Sequence, residues 1–208
     1  MGYIGATKEW AEAGAPDRDW RRWWLNADDV RYIRFLGKDN IPFHAVSFPA
    51  TLIGSVESWK TVDVIKGFDW LLYEGGKFST SGRRGIFTDR ALDELPADSW
   101  RWWLIANAPE SADTDFNVRR FAADVNKDLA DVFGNLVNRT VRFAHQAFQG
   151  RVPDGGQPGE LEAALAAEID QRIGALRRDH EALEFRRAAA ELRGIWALAN
   201  AYLQQAAP

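Results

Sequence analysis

Val30 to His44 reads VRYIRFLGKDNIPFH, and this stretch decides how the first half of the chain folds. Val30 to Leu36 alternates and is rich in β-branched and aromatic residues, so it is predicted as a strand that Gly37 ends. Ile41 to Ile53 is predicted as a helix entered through Pro42, with a kink or early break at Pro49, which has no N–H to give. A strand running into a helix leaves Lys38, Asp39 and His44 at the strand's carboxyl end, where open α/β sheets bind ligands. Asp39 can accept there from a ligand amine or a ribose hydroxyl. It can equally cap the helix with Asn40, and His44 can be a satisfied core histidine.

Outward from this stretch, the first half reads as mixed α/β. Thr7 to Trp24 gives a short helix, a turn at Gly14-Ala15-Pro16 and a second short helix. Thr61 to Ile65 and Trp70 to Tyr73 are predicted as further strands, the latter followed by the turn signal Glu74-Gly75-Gly76. From about Phe116 the apolar spacing becomes helical. Val118 to Phe148 is predicted as one helix of about 45 Å. Gly150 to Gly159 is a loop by composition, and Glu160 to Ala206 holds two amphipathic helices with no strand signal. The boundary falls near Asp113 to Asn117. Residues 1–115 therefore form an α/β part and residues 116–208 an all-α bundle.

Composition narrows the chemistry. The 208 residues carry a formal charge of −4, which argues against non-specific coating of nucleic acid but leaves room for a local basic stripe. With no cysteine, disulfides and thiolate metal sites are excluded, and the three scattered histidines disfavour a histidine-only zinc site, so no metal site is expected. No apolar run approaches the roughly 20 residues of a membrane span, and no signal peptide is visible, so the expected compartment is the cytoplasm. Of the ten tryptophans, six form two clusters, Trp20, Trp23 and Trp24 and then Trp100, Trp102 and Trp103. Packing is the first reading of such rings and base stacking the second.

Two further segments carry candidate chemistry. Glu74 to Phe87 reads EGGKFSTSGRRGIF: Lys77, three hydroxyls at Ser79, Thr80 and Ser81, then Arg83 and Arg84. Hydroxyls, backbone amides and cations on one loop suit a polyphosphate, although the spacing is not that of a P-loop and a solvated hairpin tip fits the same residues. On the long helix, Asn135 and Arg139 are four apart and share a face. An amide and a guanidinium can read and stack on unpaired bases; a solvated helix face fits the spacing as well.

Taken in order, six segments resemble the methionyl-tRNA synthetases, a class I aminoacyl-tRNA synthetase family. They are GYIGATKEWAEAG (2–14), RFLGKDNIPFHAVSFPATLIGS (34–55), KFSTS (77–81), ELPADSWRWWLIANAPESADTDF (94–116), KDLADVFGNLVNRT (127–140) and ALANAYLQQAAP (197–208). The second is similar to the family's F-x-G-K-D-N block, the third stands where class I enzymes have K-M-S-K-S, and the last is similar to A-N-x-Y-x-x-x-x-P-W. The resemblance implies the second half of a Rossmann-type catalytic fold joined to an anticodon-binding helix bundle. It implies an enzyme that activates methionine with ATP and Mg2+ and attaches it to tRNA(Met).

The same resemblance assigns roles. Tyr3 and His44 match positions lining the methionine pocket. Asp39 matches the acidic residue near the adenylate. Lys77, Ser79 and Ser81, with Thr80, match the loop that clasps ATP. Asn135 and Arg139 match residues that contact the CAU anticodon. Thr80 departs from the motif, standing where the second lysine of K-M-S-K-S offsets pyrophosphate charge, and Arg83 or Arg84 is the candidate replacement. Phe48 stands where many members have tryptophan. No H-I-G-H signature is present, so the chain is expected to be a fragment that needs a separate N-terminal half and is inactive alone. The alternatives are a non-catalytic tRNA-binding module and a repurposed or split synthetase-like protein.

Overall fold

The computed structural model describes residues 2–14, 18–25 and 27–206, arranged in two compact units, 1–69 and 70–208. Ala15 and Pro16 of the expected turn lie outside the described residues, as do the last two residues of the chain.

In the first unit, α1 (Gly2–Glu12) and the short α2 (Arg21–Trp24) flank the expected turn. β1 (Ile33–Gly37) pairs in parallel with β2 (Val64–Phe68), Ile33 opposite Val64 and Gly37 opposite Phe68. β2 lies three residues later than the sequence suggests. The Asp63 carboxylate accepts from the Tyr32 backbone N–H (2.6 Å) and the Lys60 ammonium (2.8 Å), which ties residues 60–63 into a turn and delays the ladder.

Between the two strands the chain runs through a 3-10 turn (Lys38–Asn40), a π-helical stretch (Phe43–Ser47) and α3 (Phe48–Gly54). Pro49 falls inside a continuous helical run, residues 41–54, directly after the π-helical stretch. The adjustment appears in the widened turn just before it. Ile4, Trp24, Phe48 and Leu52 form this unit's core, with Trp20, Tyr32 and Trp59 packed around them.

In the second unit, β3 (Leu71–Tyr73) and β4 (Gly76–Lys77) form a hairpin. Its two-residue turn has Glu74 at φ 48° and Gly75 at φ 75°, the paired left-handed geometry that matches strand twist. After α4 (Thr88–Glu94) and α5 (Ala97–Ala106), β5 (Thr114–Phe116) joins β3 in parallel. Sequence reading assigned no strand to this three-residue segment.

Trp103, Phe116 and Phe121 are the buried centre, with Leu71, Tyr73, Ile86, Trp100 and Val125 against them. The predicted long helix is present as α6 (Val118–Val125), a π-helical stretch (Asn126–Gly134) and α7 (Asn135–Phe148). α8 (Glu160–Glu181) and α9 (Phe185–Gln205) complete the bundle. The Glu110 carboxylate accepts from the backbone N–H groups of Phe185 (2.8 Å) and Arg186 (3.1 Å), placing a negative charge on the otherwise unpaired donors at the start of α9. Among the described residues no helix is long and apolar enough to cross a membrane.

The tryptophans mostly pack. Trp103 is 1% exposed and donates its indole N–H to Asp124 (3.0 Å), and Trp100 stacks on Phe121 with centroids 4.3 Å apart. Trp102 meets Trp196 of α9 (4.9 Å) and donates to Asp128, which also accepts from Arg193.

Candidate functional site

Tyr3 and His44 are brought together. His44 is buried, and its Nδ1 lies 2.9 Å from the Asn40 carbonyl, four residues back along the helical turn. A carbonyl only accepts, so Nδ1 carries the proton and, in the neutral ring, Nε2 offers its lone pair. The Tyr3 hydroxyl, 3.1 Å away, donates to it. Phe43 meets the imidazole edge-on at 5.0 Å and Phe48 meets the Tyr3 ring edge-on at 6.1 Å. The result is an aromatic surface whose polar atoms are already satisfied, suited to a polarizable apolar side chain.

Arg34 is a residue that sequence reasoning missed. Its guanidinium lies 3.5 Å from the Tyr3 ring centroid and 5.2 Å from that of Tyr32. Among the described residues, Arg34 Nη2 and the Tyr32 hydroxyl are both buried without a hydrogen-bond partner. Burial pushes the Tyr32 phenol above its ordinary range. Strand alternation placed Tyr32 and Arg34 on one face; nothing in the sequence announced the stacking.

Asp39 is exposed in the 3-10 turn after β1, its Oδ1 accepting from the Asn40 amide at 3.4 Å. Neighbouring Lys38 pairs with Asp69 at 2.6 Å. Asp39 is thus a carboxylate at a strand's carboxyl end with capacity left to accept from a ligand.

The KFSTS segment begins on β4 and continues as a closed turn. Ser79 and Arg84 exchange backbone hydrogen bonds (2.9 and 2.8 Å), and the Ser79 hydroxyl accepts from the Gly82 N–H at 3.0 Å. Ser79 and Ser81 hydroxyls are 3.4 Å apart. Lys77 is exposed, its ammonium 4.2 Å from the centroid of the Trp70 ring. The two arginines differ. Arg84 donates to the carbonyls of Tyr73 (2.7 Å) and Glu74 (3.0 Å), so it staples the β3–β4 turn. Arg83 sits at φ 49°, exposed, with no side-chain hydrogen bond or ion pair among the described residues.

On the helical bundle, Asn138, Arg139, Arg142, Phe143 and Gln146 of α7 and Leu203 and Gln204 of α9 line an open groove of about 570 Å3. It combines guanidinium, amide and aromatic groups, which suits stacked and hydrogen-bonded bases. Asn135 lies one turn earlier on α7 and bonds Asn200 of α9 at 3.5 Å. Arg142 and Asn200 are additions to the expected pair. Asn200 stood within the quoted A-N-x-Y segment, but its partner on another helix is a tertiary fact. Among the described residues no group of three or more His, Asp or Glu side chains is placed to hold a metal ion.

Comparisons with known proteins agree along the chain. The family model described as tRNA synthetases class I (M) matches residues 1–141, and the anticodon binding domain of methionyl tRNA ligase matches residues 152–208. A methionine–tRNA ligase of Caulobacter vibrioides is 56% identical over 209 residues, covering 99% of this chain and 37% of the relative. That of Maricaulis maris is 57% identical over 211 residues, covering 100% and 36%. The chain therefore spans little more than a third of the length of the relatives it matches. Mycobacterium tuberculosis methionyl-tRNA synthetase in complex with methionyl-adenylate superposes with a TM-score of 0.80 at 26% identity, covering 97% of this chain and 38% of that one. A second structure of that enzyme, bound by methionyl-adenylate, gives 0.78 with coverage of 93% and 37%. An α/β part of Rossmann type followed by a helical bundle, with both family models matched in that order, makes this chain a member of the class I tRNA synthetases of the methionyl branch.

Proposed function

We propose that this chain supplies part of the amino-acid and ATP site and the anticodon-reading bundle of a cytoplasmic methionine–tRNA ligase. An H-I-G-H-bearing N-terminal half would supply the rest. Residues 1–115 would serve activation and residues 116–208 recognition of tRNA(Met). The observation that carries this reading is a combination. One chain, matched over 99% of its length by a methionine–tRNA ligase, holds both the buried His44 hydrogen-bonded to Tyr3 and a groove lined by Arg139 and Arg142.

In this reading Tyr3 and His44 take the methionine side chain, and Asp39 accepts from the amine or ribose of the adenylate. Lys77, Ser79, Thr80 and Ser81 engage the triphosphate, which brings its own Mg2+. Methionine's carboxylate attacks the α-phosphorus in line, the bond to the bridging oxygen breaks, and pyrophosphate leaves with the electron pair. No protein nucleophile is needed; positioning and electrostatics carry the rate. Because Arg84 is engaged by the hairpin's own carbonyls, Arg83 is the cation that offsets the lysine replaced by Thr80.

Methionine-dependent pyrophosphate exchange tests the proposal. The chain alone is expected to show none. The chain joined to the H-I-G-H-bearing half of the Caulobacter relative is expected to exchange. Exchange by the chain alone, or none from the assembled protein, overturns the reading.

A further inference from the structure

We infer that Asn200 is a positioning residue that fixes the amide of Asn135, so that Asn135 presents its carbonyl oxygen, a hydrogen-bond acceptor, to RNA. The inference rests on the proposed anticodon role of α7 and adds to it the chemical class of the group that is read.

The geometry starts from hydrogens. The Asn200 amide nitrogen has two, and it donates to the Val132 carbonyl at 2.8 Å and the Trp196 carbonyl at 3.1 Å. Both partners are acceptors only, so the amide cannot turn over without setting oxygen against oxygen. Its Oδ1 therefore faces Asn135, and it is Asn135 Nδ2 that donates to it, at 3.5 Å. The Val132 carbonyl also accepts from the Asn135 backbone N–H, so Asn200 grips the same carbonyl that seats the start of α7.

With Nδ2 turned towards α9, Asn135 Oδ1 is left outward on an exposed residue, and no other side-chain hydrogen bond engages Asn135 among the described residues. One and two turns on, Arg139 and Arg142 are donors only. The face thus offers one acceptor beside a set of donors. An acceptor at Asn135 favours a base that brings an exocyclic amine, as cytosine and adenine do, and disfavours the keto counterpart, which sets acceptor against acceptor. A free asparagine would turn over and accommodate either; a pinned one discriminates.

The test uses the whole chain and three RNA hairpins: one with a CAU loop, one with that cytosine changed to uracil, and one with that adenine changed to hypoxanthine. Each change turns an amine into a keto group. Wild-type chain is expected to bind one of the keto hairpins roughly tenfold more weakly than the CAU hairpin. Asn200→Ala is expected to bring that ratio close to one. A merely structural role would weaken binding to all hairpins alike and keep the ratio, and that result overturns the inference. Asn135→Ala, on an exposed position that leaves the fold intact, should abolish the ratio as well, and a ratio that survives it also overturns the inference. If wild-type chain separates the CAU hairpin from a scrambled loop but not amine from keto, the anticodon role stands and this inference falls. If it does not separate even the scrambled loop, the anticodon role falls first.

Discussion

The Tyr3–His44 pair of the first unit and the Lys77–Ser81 turn of the second are built in opposite ways. His44 is 6% exposed, and both its ring nitrogens are already bonded. Lys77 is exposed, and the hydroxyls of the turn bond mostly to the turn itself. The first arrangement fixes shape before any ligand arrives, which suits selection among apolar side chains. The second keeps cations in water, where they can follow a charge that appears only as a bond breaks. Substitutions should therefore affect stability in the first region and rate in the second.

The sharpest break of that contrast is Lys77→Ala in the assembled enzyme. Pyrophosphate exchange should fall about 10²- to 10³-fold, while the free energy of unfolding stays within about 0.5 kcal/mol of wild type. Conversely, His44→Ala should lower stability by about 1–3 kcal/mol, because the Tyr3 hydroxyl and the Asn40 carbonyl lose their partner. It should also raise KM for methionine; a stable variant with unchanged KM would erase the contrast.

Smaller effects refine it. Arg83→Ala should slow exchange about tenfold, equivalent to one 1.4 kcal/mol contact, at constant stability. Arg84→Ala should instead loosen the hairpin it staples, visible as faster amide exchange at Gly75 and Gly76. Tyr3→Phe removes one hydrogen bond to His44 and should cost about 1 kcal/mol in thermal or chemical denaturation.

The smallest effect is a pH dependence carried by the sheet. The Lys60 ammonium, with the Tyr32 N–H, holds the Asp63 carboxyl below the usual carboxylate range. In the unfolded chain that carboxyl takes up its proton at higher pH. The contribution is thus present above the ordinary carboxylate range and lost as pH falls through the lower folded value. Asp63→Asn should flatten this limb of the stability profile between those two values, and an unchanged acid limb would reject the assignment.

How much was legible follows physical lines. The helical bundle was readable because its apolar periodicity runs for several turns and its loop, residues 150–159, is glycine- and proline-rich. Element order through residue 73 was readable from strand alternation and turn residues, apart from the register of β2, which a single side chain, Asp63, displaces. β5 was not legible, because three residues carry too little pattern and its pairing with β3 is non-local. At the candidate sites, the residue types came from motif order, while their arrangement did not. Arg34 over Tyr3, Arg84 spent on the hairpin and Asn200 facing Asn135 all depend on partners 10 to 65 positions away.

The wide-wound stretch Asn126–Gly134 has a consequence for the residues beyond it. A π turn takes more residues per revolution than an α turn, so it resets the clock of the helix it feeds. At the end of this stretch Asn135 and Arg139 lie beside α9. A one-residue deletion there would re-aim the whole of α7 while leaving its sequence untouched, so the spacing of this stretch, more than its composition, governs which way the helix faces.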